Sequence, residues 1–82
     1  MKTAKNHQEI GKLIKYHRQA QNLSQKELAQ KAGLTQPAVS NIEHGQGGSL
    51  RAVAAIMQGL NLEIEFHPRQ SIDKSNLASL ID

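Results

Sequence analysis

The 82-residue sequence has no cysteine, no tryptophan, and only one tyrosine and one phenylalanine. The lack of cysteine excludes disulfide bonds, thiol nucleophiles and cysteine zinc sites. With so few aromatic residues, a core has to be built from Leu, Ile, Val and Ala, a mixture that favours helices. No apolar run approaches the ~18 residues of a membrane span, and the N-terminus lacks the apolar segment of a secretory signal. These absences predict one small, soluble, cytoplasmic domain.

Positive charge is concentrated in the first part of the chain. Residues 1–31 carry seven Lys or Arg and two Asp or Glu, whereas residues 32–82 carry three and five. The first part therefore has a net charge of +5 and the second part of −2. A basic segment suits a polyanion such as nucleic acid. An ordinary solvated helical surface is the alternative, and charge alone does not separate the two.

Capping residues and apolar spacing predict four helices. The first runs from about residue 7 to residue 21, and Asn22 after it suits a left-handed turn. The predicted N-terminal caps are Asn6, Ser24, Thr35 and Ser49, and the predicted terminating glycines are Gly33, Gly45 and Gly59. The inward face predicted for the fourth helix consists of Leu50, Val53, Ala54 and Met57.

A specific spacing lies in the second and third helices. Two helices that cross at ~90–120° over a tight turn need a small residue where they approach, a glycine at the turn, and two apolar anchors one helical turn apart. The sequence meets these needs and resembles the helix-turn-helix of the phage repressor and Cro family over about residues 7–60. An ordinary helical hairpin is the alternative. The positions that carry the resemblance are Gln25, Ala29, Gly33, Val39 and Ile42.

The resemblance implies that the third helix reads DNA. Its outward residues are mostly uncharged and able to form hydrogen bonds, where a merely solvated face would more often carry Lys and Glu. An amide can bond adenine N6 and N7 together, so Gln36 is the predicted leading base reader. Pro37 departs from the polar residue common in the family and offers only van der Waals contact. By matching position, the resemblance implies DNA contacts from Thr35, Gln36, Pro37, Ser40 and Asn41.

The family pattern also implies roles at the helix ends. Gln25 matches a glutamine that meets the DNA backbone and braces Gln36, although a plain surface glutamine is the alternative. Arg18 and Glu43 match a structural salt bridge between the first and third helices. Lys26 is a predicted contact to a DNA phosphate, with a solvated side chain as the alternative. Further candidate phosphate contacts, each with a solvated side chain as the alternative, are Lys15, Lys31 and His44.

After the fourth helix, apolar residues alternate with Glu63 and Glu65, and this period of two predicts a β-strand. One strand cannot form a sheet, so we expect it to pair across a homodimer. A short extended segment packed on its own domain is the alternative. The predicted dimer residues are Leu62, Ile64 and Phe66.

The predicted fold class is therefore mainly α, with one β-strand that pairs across a homodimer. A four-helix helix-turn-helix domain covers residues 1–60, the dimerisation strand covers residues 61–67, and a C-terminal tail covers residues 68–82. The tail is polar and ends in an apolar cluster, which we expect to dock on a protein partner or to remain unstructured. That cluster consists of Leu77, Leu80 and Ile81.

This architecture, together with the run from Gly33 to Glu43, resembles the HipB-type antitoxins of toxin–antitoxin operons. The resemblance implies a dimer that binds a palindromic operator, represses its own operon, and binds a HipA-type serine/threonine kinase toxin. Two alternatives remain open. The chain is a free-standing phage-type repressor without a toxin, or it is a protein-interaction module with the same fold.

Catalysis and cofactors are not expected. The four histidines lack the spacing of a metal site, and no clustered carboxylates or cysteines accompany them. The serines that begin helices are explained as caps, and no glycine-rich phosphate loop with a lysine precedes a helix. We therefore predict no enzyme activity, no metal and no cofactor.

Overall fold

The computed structural model describes residues 4, 6–66 and 68. It contains four helices, which confirms the prediction of a mainly α domain: α1 (His7–Ala20), α2 (Gln25–Ala32), α3 (Gln36–Glu43) and α4 (Leu50–Gly59). Helix α2 packs against both α3 and α4, while α1 packs against α3. Among the described residues, no helix combines the length and the apolar character that crossing a membrane requires.

Each helix begins at a side chain that accepts a backbone hydrogen bond. Asn6 Oδ1 accepts from the Glu9 N–H at 2.9 Å at the start of α1. Helix α2 has a closed capping box, in which Ser24 Oγ accepts from the Glu27 N–H at 3.0 Å and Glu27 Oε1 accepts from the Ser24 N–H at 2.8 Å. The caps of α3 and α4 are Thr35 and Ser49, as the sequence predicts.

Seven buried apolar residues from all four helices and their ends form the core. Apolar side chains without charge or aromatic rings fill it, in agreement with the composition. The members are Ile14, Leu28, Ala29, Val39, Ile42, Ile56 and Leu60.

The predicted inward face of α4 is half right, because Val53 and Met57 are partly buried against the core, whereas Leu50 and Ala54 are not. Leu50 is 81% exposed and Ala54 is exposed, whereas Ile56 and Leu60 are fully buried. The reason is that the later part of α4 packs on α2, with Gly59 beside Leu28. Leu50 at the start of α4 consequently faces solvent.

Gly11 in the middle of α1 is a point of close backbone approach. A Cβ atom there would overlap the carbonyl oxygen of Ile42 and lie 2.5 Å from the carbonyl oxygen of Glu43. The absence of a side chain therefore lets α1 lie directly on the last turn of α3.

The strand predicted over residues 61–67 is not formed in the single chain, because none of the described residues lies in a strand. Asn61, with a φ of 57°, instead ends α4. The Leu62 N–H donates to the carbonyl oxygen of Met57 at 2.8 Å as part of the same helix end. A strand needs a neighbour for its hydrogen bonds, and the described chain offers none. His67 and the cluster Leu77, Leu80 and Ile81 lie outside the described residues.

Candidate nucleic-acid interface

The outer surface of α3 carries the side chains that the sequence proposes as DNA readers. Thr35, Gln36, Pro37 and Asn41 are exposed, and Ser40 is half-buried. On the opposite side, Val39 and Ile42 are buried in the core. Thr35 also has a structural task, because its Oγ1 accepts a hydrogen bond from the Ala38 N–H at 3.3 Å. The polar surface of α3 is thus presented to solvent on a helix that the core holds in place.

An ion pair between α1 and the end of α3 fixes the position of this surface. Arg18 Nε donates to Glu43 Oε2 at 2.6 Å, and Arg18 Nη2 donates to Glu43 Oε1 at 3.1 Å. The two side chains are only 9% and 1% exposed. Arg18 Nη1 also donates to the carbonyl oxygen of Leu23 at 2.7 Å, in the turn between α1 and α2. The pair that the family resemblance implies is therefore present, with two parallel hydrogen bonds.

Gln25 joins the same cluster rather than contacting Gln36. Its Nε2 donates to Glu43 Oε1 at 3.1 Å, so the expected bond to Gln36 is not formed within the described chain. The carboxylate is the stronger acceptor, because a charged partner roughly doubles the strength of a hydrogen bond. Gln25 thus braces α3 at its C-terminal end and leaves the amide of Gln36 facing solvent.

The N-terminus of α2 lies next to this cluster, because Gln25 is its first residue. Hydrogen bonds from the Ser24 backbone N–H and then from the Ser24 hydroxyl lower the pKa of Glu27. The Glu27 carboxylate thus already accepts a hydrogen bond from the Ser24 N–H, the first backbone N–H at this end of the helix. The exposed Lys26 carries positive charge at the same end of the helix.

The other basic candidates lie in different places. Lys15 and His44 line one open cleft between α1 and α3, and Lys12, which was not among the predicted contacts, lines it too. Lys31 lies instead on α2 beside Gly59 of α4. Lys12 could have been predicted from the sequence, because it lies three residues before Lys15 and residues three apart share a helix face. The described residues hold no group of three or more His, Cys, Asp or Glu side chains placed to bind a metal ion.

A family model described as Helix-turn-helix matches residues 14–67, about two thirds of the chain. The chain belongs to the helix-turn-helix family. In this helix-turn-helix domain, α2 and α3 form the two helices of the motif, and Gly33, with a φ of 69°, forms its turn. No curated protein matches the sequence.

Solved structures confirm the predicted resemblance to HipB-type proteins. This helix-turn-helix domain is similar to the HipB chain of a "HipB-O4 20mer complex", with a TM-score of 0.78 and 25% sequence identity. The match covers 85% of this chain and 100% of that one. A chain of a "HipA-HipB-O2-O3 complex" is similar with the same TM-score, identity and coverage.

Proposed function

We propose that the chain is a sequence-specific DNA-binding repressor that works as a homodimer and serves as the antitoxin of a HipBA-type operon. The observation that carries this proposal is the exposed, uncharged surface of α3, held by the buried Arg18–Glu43 pair in a domain of the helix-turn-helix family. In this proposal the chain is a regulator and has no catalytic role, metal or cofactor.

Base reading is assigned to the N-terminal part of α3. Gln36 is exposed and its amide is not held by Gln25, so it can bond the adenine edge in the major groove. Pro37 is exposed and can touch a thymine methyl group. The backbone contacts come from the start of α2, where Gln25 and Lys26 lie near N–H groups that suit a phosphate. The remaining base-contacting residues in this proposal are Thr35, Ser40 and Asn41.

Dimerisation is assigned to the segment after α4. Ile64 is 52% exposed and Phe66 is 93% exposed, while Leu62 packs partly against the core. Apolar side chains that alternate with acidic ones along an extended segment are suited to pairing with the same segment of a second copy. Such a dimer would present two α3 helices to a palindromic operator with half-sites about 34 Å apart.

A toxin partner is proposed from the likeness to HipB. One similar solved structure is described as a "Structure of HipA-HipB-O2-O3 complex". We propose that this chain likewise binds a HipA-type serine/threonine kinase and represses its own operon. A free-standing repressor would share the DNA surface but would have no such partner. An interaction module without an operator would lack sequence-specific DNA binding.

Selection of bound duplexes from a random pool tests the DNA-binding part of the proposal. We expect enrichment of an inverted repeat whose half-sites are spaced by about one helical turn. No enrichment, with weak binding to every duplex, would favour the interaction module. Co-expression with a kinase-like neighbouring gene tests the toxin partner, and a stable complex would support the antitoxin role. If the selection enriches an operator but no complex forms, the chain is a free-standing repressor.

A further inference from the structure

An open basic cleft of about 280 Å³ lies between α1 and the C-terminal end of α3. We call it the α1–α3 cleft. Its lining residues are Gln8, Lys12, Lys15, Glu43 and His44.

The charge of the α1–α3 cleft is positive. Lys12 and Lys15 are exposed and lie three residues apart on the same face of α1. Glu43 is the acidic residue among those lining the cleft, and Arg18 already neutralises its carboxylate through two hydrogen bonds. The two lysine charges are therefore left to attract an anion.

The position of the cleft relative to α3 points to the kind of anion. Gln36, Ser40 and His44 follow one another at intervals of four, so they form one row along the helix surface. His44 Nδ1 donates to the backbone carbonyl oxygen of Ser40 at 2.7 Å, which holds the imidazole ring at the end of this row. Eight residues span about 12 Å along a helix axis, close to the width of the major groove, which is about 12 Å.

The α1–α3 cleft therefore lies about 12 Å from Gln36 along the helix axis, which is about the width of the major groove. When Gln36 meets a base edge on the groove floor, the other end of the row reaches the rim of the groove, where the phosphates lie. We propose that Lys12 and Lys15 bind a phosphate of the DNA backbone in the α1–α3 cleft. This site is separate from the N-terminus of α2, and its assignment rests on the proposed DNA-binding function.

The test compares Lys12→Gln and Lys15→Gln with the wild type and with Lys15→Arg, which keeps the charge in the cleft. Affinity is measured for a random-sequence duplex and for the selected operator between about 50 and 200 mM salt, because each neutralised phosphate contributes about 0.9 to the slope of log K against log salt. Each cleft variant should lower that slope by about 0.9 per subunit, or about 1.8 for a dimer. Both duplexes should lose affinity by the same factor, because a phosphate contact carries no sequence information.

Lys15→Arg should keep the wild-type slope, because it retains the charge. Melting temperatures of all variants should match the wild type, since the replaced side chains are exposed. Slopes for the two cleft variants equal to that of the wild type, in a protein that binds DNA, would overturn the cleft site alone. A wild-type protein that binds neither duplex would overturn the proposed function and the site together.

Discussion

Glu43 carries its charge inside the domain, with 1% of its side chain exposed, and Arg18 makes this possible. Two charges buried together need good geometry and further hydrogen bonds, and removing one partner of such a pair costs ~3–5 kcal/mol. Gln25 and the Leu23 carbonyl oxygen supply the further bonds here. The same few atoms therefore hold the end of α3, the turn after α1 and the start of α2. Loss of this cluster would disturb the candidate DNA surface as well as stability.

Gly11→Ala should destabilise the domain by about 1–3 kcal/mol, the usual cost of overpacking. The added methyl group would meet backbone carbonyl oxygens of α3, which cannot move without shifting the helix. The helix propensity of alanine, about 1 kcal/mol better than that of glycine, does not compensate. Thermal unfolding measures the change.

Gly59→Ala is the matched control, because its new methyl group would meet its nearest neighbour, Leu28, at an ordinary 3.4 Å. This variant should be neutral or slightly stabilised. Equal melting temperatures for Gly11→Ala and Gly59→Ala would contradict the close approach of α1 and α3.

Gln36→Ala should abolish the preference for operator over scrambled duplex while leaving the melting temperature unchanged. A bidentate amide–adenine contact is worth ~1–3 kcal/mol, and it occurs twice in a dimer. The side chain is exposed, so its removal costs the fold little. Parallel titrations of the two duplexes check this expectation, and an unchanged affinity ratio would remove Gln36 from the set of base readers.

All four helices end in the same way. At each end a residue with positive φ is followed by one whose N–H donates to a carbonyl oxygen five residues earlier. A second hydrogen bond runs from the N–H of the positive-φ residue to the carbonyl oxygen three residues earlier. The two bonds together form the Schellman motif. The residues with positive φ are Asn22, Gly33, Gly45 and Asn61. The residues that follow them are Leu23, Leu34, Gln46 and Leu62, and the three leucines pack against the core.

The Schellman motifs stop each helix and also add an apolar contact to the core. At Leu62 the motif directs the chain out of α4 toward the segment with Ile64 and Phe66. Polar Gln46 is the exception, and it lies in the exposed loop after α3. The geometry of a helix end thus sets where the proposed dimer segment starts.

Asn61→Ala should lower stability by about 1–2 kcal/mol, because a Cβ without a polar group disfavours the left-handed conformation. Asn61→Gly should be neutral or stabilising at the same site, since glycine adopts positive φ without that cost. Chemical denaturation of the two variants provides the comparison. Equal losses in both would show that the asparagine side chain matters for some reason other than its φ of 57°.

A single copy of this domain leaves much apolar surface uncovered beyond α4. The side chains of Ile64 and Phe66 extend from the end of the four-helix domain and are 52% and 93% exposed. Burial of apolar surface contributes about 25 cal/mol per Å², so covering these side chains in a dimer would be favourable. The dimer would also complete the pairing that one extended segment lacks.

Ile64→Asp should split the proposed dimer, because a charge placed in the interface loses its hydration at a cost of several kcal/mol. The monomer should remain folded, since position 64 is half-exposed there. Sedimentation at micromolar concentration measures the oligomeric state. Leu50→Asp is the control, because Leu50 is an 81% exposed residue at the other end of α4. A dimer that persists in Ile64→Asp would place the interface elsewhere.

Much of this domain is determined by short stretches of sequence. The helix starts at Asn6, Ser24 and Thr35 depend on hydrogen bonds between residues three apart, so they can be predicted from the residues alone. The left-handed turns at Asn22 and Gly33 follow from the same kind of local chemistry. The exposed polar surface of α3 follows from its apolar spacing, and the Arg18–Glu43 pair from the family resemblance.

Contacts between distant parts of the chain were decided only in three dimensions. In α4, one apolar stripe begins at Leu50 and another, equally regular, begins at Val53. Packing of α4 on α2 buries the second stripe, which contains Ile56. The amide of Gln25 can donate to any nearby acceptor, so only the folded position of Glu43 determines its partner. The need for a glycine at position 11 likewise arises from a carbonyl oxygen more than thirty residues away. Local hydrogen bonds are specified by neighbouring residues, whereas packing partners depend on where whole helices meet.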